Sequence, residues 1–139
     1  MNAAAATDQE LKEAMQALDT LFNRDTTWKR IDEPGRGSVF NAKTCEIIFH
    51  RDARVADAIH EYAHAIDFAR YGTRQAILEG GPHGATFIKI LEEVAGKFYG
   101  DSKMYPNWDD EYPHITGYAF GKGYIDSPIT KTIMFTKWA

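Results

Sequence analysis

Apolar positions recur at helical spacing in three stretches of the chain, and two short strand-like runs lie between the first and second of these. Leu11, Met15, Leu18, Leu21 and Phe22 fall three or four apart, with Asp, Glu and Lys between them. That spacing predicts an amphipathic helix over residues 8–23, capped by Thr7 or Asp8. Asp32-Glu33-Pro34-Gly35-Arg36-Gly37 is dense in turn formers and breaks the chain. Val39-Phe40 and Cys45-Glu46-Ile47-Ile48-Phe49 read as two strands, and Asn41 to Thr44 can turn them into a hairpin. A second helix runs from about Ala53 to Tyr71, with Asp52 as its cap, Gly72 as its stop, and an apolar stripe of Val55, Ile59, Tyr62, Ile66 and Ala69. A connection leads to Gly80-Gly81-Pro82. Phe87, Ile88, Leu91, Val94, Ala95 and Phe98 then mark the core face of a third helix, residues 83–99, with Pro82 suited to its entrance. Beyond Gly100 the helical period is lost. Residues 101–128 are rich in aromatics and punctuated by Gly and Pro, and Ile133-Met134-Phe135 can form a last strand.

The second helix also carries a polar stripe of Asp57, His60, Glu61, His64, Asp67 and Tyr71. A largely buried helix that keeps such a stripe is usually using it. Within it, His60-Glu61-Tyr62-Ala63-His64 reads H-E-x-x-H. Helical residues four apart share a face, so two imidazoles can grip one metal ion. Glu61 lies about 100° round the helix from His60, near enough to act as a base on a water that the metal activates. This is the residue pattern of a zinc peptidase.

Length and charge narrow the setting. With 139 residues, the chain is expected to form one domain over residues 1–139, with 1–7 disordered and 100–139 an irregular, aromatic-rich extension. No apolar run is long enough to cross a bilayer, so no membrane partner is expected. Met1 to Ala6 lacks the basic start and apolar centre of a signal peptide, and the lone Cys45 has no partner for an internal disulfide. Together these features point to the cytoplasm. A net charge of −4 speaks against a broad basic surface. Lys29-Arg30 and Arg51/Arg54 read as ordinary solvated surface, so nucleic acid is not a favoured partner.

A catalytic zinc needs three protein ligands and an open position. The candidates for the third are His83, Glu79, Glu92, Glu93 and His114. Phe87, Leu91 and Val94 follow His83 at helical intervals, so His83 faces the way the core face does, toward the helix of His60 and His64. Glu92, about 180° away, should face water. Glu79, in the connection, and Glu93, between the two faces, stay open as alternatives.

His60-Glu61-Tyr62-Ala63-His64-Ala65 followed by His83-Gly84-Ala85-Thr86-Phe87 resembles the SprT-like zinc metallopeptidases, which pair an H-E-x-x-H helix with a downstream H-G-x-x-F. The resemblance covers about residues 45–99. It implies a small α+β, zincin-like single domain, with the active-site helix on a short sheet and a second helix bringing the third ligand. It also implies Zn2+ held by His60, His64 and His83, and Glu61 as general base. Two features depart from the pattern. The chain has no cysteine after Cys45, so the cysteine-rich zinc ribbon of many relatives is missing. Its acidic balance also does not suit the DNA-directed role of some of them. A weaker similarity, H-E-x-x-H-A-x-D over His60 to Asp67, is to lethal-factor-like zinc peptidases, where Glu93 would be the nearest equivalent of the third ligand.

Other residues have supporting roles to fill. Asp67, three positions beyond His64, can orient a ligand histidine or sit on a solvated face. Tyr112, His114, Tyr118 and Tyr124 are candidates for stabilising a developing oxyanion, though each Tyr can equally just pack. His50 reads as structural, Cys45 as a buried, inert thiol, and Gly35-Arg36-Gly37 and Gly121-Lys122-Gly123 as turns. The expected function is hydrolysis of peptide bonds in a protein or peptide substrate. The alternative is a zinc-holding interaction protein on the same fold, with weak hydrolysis or none. A substrate peptide is expected to add to an edge of the hairpin, along Cys45 to Phe49 or its partner strand.

Overall fold

The first helix, α1 (Asp8–Phe22), begins as its sequence dictates. Thr7 Oγ1 accepts from the Glu10 backbone N–H at 3.1 Å, and Glu10 Oε1 accepts from the Thr7 N–H at 2.9 Å. This reciprocal box satisfies two donors that a helix start leaves open. Leu11, Ala14, Met15 and Leu18 are buried, whereas Leu21 lies at the surface. The structure, a computed structural model, describes residues 5–35, 37–99 and 137–138. The predicted strand at Ile133-Met134-Phe135, and the candidates Tyr112, His114, Tyr118 and Tyr124, lie outside those residues.

Four strands follow, and they make one sheet: β1 (Thr27–Arg30), β2 (Ser38–Asn41), β3 (Glu46–Phe49) and β4 (Lys137–Trp138), in the spatial order β1-β3-β2-β4. The predicted hairpin is there, with β2 antiparallel to β3 and Phe40 opposite Ile47. Strand β1, which the apolar pattern does not signal, runs parallel to β3, and β4 pairs with β2 at Phe40 and Asn41. Of the two expected edges, only the partner strand is left. β3 lies inside the sheet, and only the β2 side of the hairpin has a stretch, Ser38–Val39, that no strand covers among the described residues. Cys45 is neither in a strand nor buried. It stands exposed in the turn with φ +56°, the left-handed region.

Strand alternation sends Ser38, Phe40, Ile47 and Phe49 to one face, and all four are buried. That face packs on α2 (Val55–Glu79), which α1 and α3 (Ala85–Tyr99) also touch. Helix α2 is thus central. Every residue from Ala58 to Asp67 is buried, including His60, Glu61, His64 and Asp67 of the polar stripe, whereas Tyr71 of that stripe and Ala69, assigned to the apolar stripe, are exposed. The helix starts at Val55, not Ala53. The Arg54 N–H is taken by Asp57 Oδ2 at 2.8 Å, and the expected cap, Asp52, instead accepts from the Gly37 N–H at 3.2 Å. Gly72 does break the helix (φ +62°, ψ −156°), but residues 73–79 then turn helical again where a plain connection was expected. Helix α3 begins at Ala85 rather than residue 83, because the Glu79 carboxylate accepts from the Thr86 backbone N–H at 2.7 Å and from its hydroxyl.

One polar network ties these layers together. Asp19 of α1 accepts from Thr26 N–H and Oγ1, and from the Tyr62 hydroxyl of α2 at 2.8 Å. The Tyr62 ring is fully buried. Tyr62→Phe keeps the ring and strips a carboxylate of one donor. The expected loss is about 1–3 kcal/mol of stability, measured by denaturant unfolding; an unshifted midpoint would mean the contact contributes nothing.

Candidate metal centre

His60 and His64 sit one helical turn apart on α2, and His83 sits in the turn just before α3. All three are buried, and each offers a ring nitrogen to one cluster whose atoms lie within 4.8 Å of one another. The closest pair, His64 Nε2 and His83 Nε2, is 3.2 Å apart. Two nitrogens each about 2.0–2.1 Å from one tetrahedral zinc are roughly 3.3 Å apart. The donor set therefore fits a metal ion. Among the described residues this is the only such group of His, Cys, Asp and Glu.

Phe87 forms the wall of the cluster. Its ring stacks on His64 with centroids 4.1 Å apart and planes 19° apart, and it meets His60 at 5.1 Å and His83 at 5.2 Å. In the sequence Phe87 belongs both to the core face of α3 and to the His83-Gly84-Ala85-Thr86-Phe87 motif. Its position four residues after His83, on the same side of the chain, explains the second motif: the residue that packs the imidazoles follows the one that completes them. Gly84 is bound by space, since a Cβ there would come 2.7 Å from the Glu79 side chain.

Of the competing ligands, Glu79 and Glu93 are engaged elsewhere, and His114 lies outside the described residues. Glu79 ends α2, not a loop, and holds Thr86 and Gln75. Burial opposes its ionisation, but the hydrogen bonds from Thr86 and Gln75 outweigh that and hold its carboxyl below the usual range. Glu93 grips Arg70 through two bonds of 2.8 and 2.9 Å, which likewise hold its carboxyl down. Glu92 is exposed, as its helical phase predicts. His50 does not join the cluster. Its ring lies against Gly35, where an added Cβ would come 2.4 Å from the ring.

Glu61 is 2% exposed, and its Oε2 accepts from the Ser38 hydroxyl at 2.9 Å. Oε1 is buried with no hydrogen-bond partner among the described residues. Burial pushes its carboxyl well above the usual range, and the Ser38 hydrogen bond only partly opposes this. Asp67 is buried too, so it is not on a solvated face, and its Oδ1 meets no donor among the described residues. Burial, with the Glu79 charge adding and Arg70 opposing, pushes its carboxyl up to about 7. Ser38 was missed in the sequence because the strand was started at Val39; alternation from Phe40 back by two positions would have placed it on the inner face.

Three of the four residues in the two basic pairs meet carboxylates. Arg30 binds Asp8 at 2.9 Å, Arg51 binds Asp32 at 2.9 Å, and Lys29 lies 3.8 Å from Glu46. Among the described residues no helix is long and apolar enough to cross a membrane. No family model matches the chain, and neither a curated protein nor a solved structure matches it.

Proposed function

We propose that this chain is a zinc-dependent metallopeptidase of the SprT-like kind, acting on a protein or peptide. The observation that carries the reading is the convergence of three buried imidazoles from two separate segments. The nitrogen-only donor set suits zinc among the common metals. His60, His64 and His83 would hold the ion, and three neutral ligands would leave its charge undiminished. When bound, zinc supplies Lewis acidity to a peptide carbonyl and lowers the pKa of water toward about 7.

The protein's own part falls to Glu61. Its free oxygen can take the proton from the attacking water and pass it to the departing amine. A domain that only bound zinc would gain nothing from a buried carboxylate on the same helical turn, which favours hydrolysis over the interaction-protein alternative. Ser38–Val39 of β2, which no strand covers among the described residues, includes the residue that binds Glu61, and an extended peptide backbone can add there as a further strand.

The test is metal dependence. Dialysis against a strong zinc chelator is expected to abolish cleavage of an unstructured protein substrate, and one equivalent of Zn2+ per chain to restore it. Cleavage that survives complete metal removal would exclude the reading.

A further inference from the structure

The hydroxyl of Ser38 does more than fill the sheet. We propose that Ser38 is a positioning residue for Glu61, fixing one carboxylate oxygen so that the other is presented to the reacting water; this rests on the metallopeptidase reading above. Ser38 is 5% exposed and occupies a helix-facing position of β2, next in that row to Phe40. Packing alone would be served there by an apolar residue. A polar one is tolerated because its hydrogen bond has a fixed recipient, Glu61 Oε2 at 2.9 Å.

The strand is held against the helix at two successive points. Gly37, with φ +88°, passes so near Asp57 that an added Cβ would come 2.7 Å from that carboxylate. Asp57 and Glu61 are four apart on α2 and so share a face. Gly37 meets the first and Ser38 the second, so the start of β2 lies along one turn of the helix. The Gly37 N–H is pinned by Asp52, and its carbonyl accepts from the His50 N–H at 2.9 Å. Ser38 thus stands on backbone fixed from both sides, which is what a residue that orients another requires. The Ser38 hydroxyl donates, and Glu61 Oε2 accepts. With Oε2 occupied, the buried Oε1 is the oxygen left for a proton.

The experiment uses the full chain loaded with one equivalent of zinc and a peptide that the wild type cleaves. Ser38→Ala is expected to lower kcat about tenfold to a hundredfold, with KM and zinc content unchanged. Ser38→Thr, which keeps the hydroxyl, is expected to return kcat to within a few-fold of wild type. In a Glu61→Gln background Ser38→Ala should cost nothing further, because the residue it positions has already lost its role. A readout free of activity is the melting temperature of the metal-free chain, where the two substitutions are expected to be non-additive. Wild-type kcat in Ser38→Ala, or an equal loss in both backgrounds, would overturn the positioning role alone. Absence of Glu61-dependent hydrolysis in the wild type would overturn the peptidase reading and this role with it, while non-additive melting would still leave the contact standing.

Discussion

Glu61→Gln is expected to lower kcat for peptide hydrolysis by about 10²–10⁴-fold while metal content stays at the wild-type level. The substitution keeps the shape of the side chain and an oxygen that can accept from Ser38, which sits 2.9 Å away. It removes the ability to take a proton. None of the three clustered ring nitrogens belongs to Glu61, so the cluster has no reason to loosen. Stability is expected to hold or rise, because a neutral amide is less costly to bury than a carboxylate. Such a combination, lost turnover with an equal or higher melting temperature, is what a residue kept for chemistry gives. Measuring kcat and thermal unfolding on the same preparation checks both halves. Full activity in the variant would remove Glu61 from the reaction.

His83→Ala is expected to weaken metal binding by more than about a hundredfold, since loss even of an outer partner of a metal ligand typically costs 10–100-fold. The reasoning is geometric. His60 and His64 come from one helix and supply two nitrogens, and the third must come from the turn before α3. Competition with a chromogenic chelator reads the affinity. Glu79→Gln and Glu93→Gln are the controls: both carboxylates are committed, to Thr86 and Gln75 in one case and to Arg70 in the other, so neither variant should change affinity. Undiminished binding in His83→Ala with loss in Glu93→Gln would move the third ligand to Glu93 and favour the lethal-factor-like arrangement. Removing an imidazole that touches Phe87 also opens a space in the core, so unfolding of the metal-free variant should accompany the affinity measurement.

What the sequence disclosed of the site and what it concealed follow from the range of the interactions. Helical spacing is local, so the four-residue step from His60 to His64 is enough to place them on one face. The phase of α3 pointed His83 at them although His83 itself lies just outside that helix. The cap at Thr7 and the hairpin were equally local. Strand β1 was not, because Trp28 and Arg30 alternate with exposed Thr27 and Lys29, and its parallel partner stands some twenty residues away. No apolar run marks such an edge strand. Gly72 does break the helix, since its backbone leaves the helical region, but one glycine carries no information on whether a helix resumes after it. The residues that serve Glu61 were concealed most fully. Ser38 lies 23 positions before it, and only the folded sheet brings the two together.

The most direct test of the central claim is the metal content of the native chain, purified without chelator, offered Zn2+ and passed through gel filtration. Binding through His60, His64 and His83 requires one zinc per chain, measured by elemental mass spectrometry and held through the column. A native chain that emerges with no bound metal after zinc has been offered would contradict the account, because the three converging imidazoles would then be packing and nothing more.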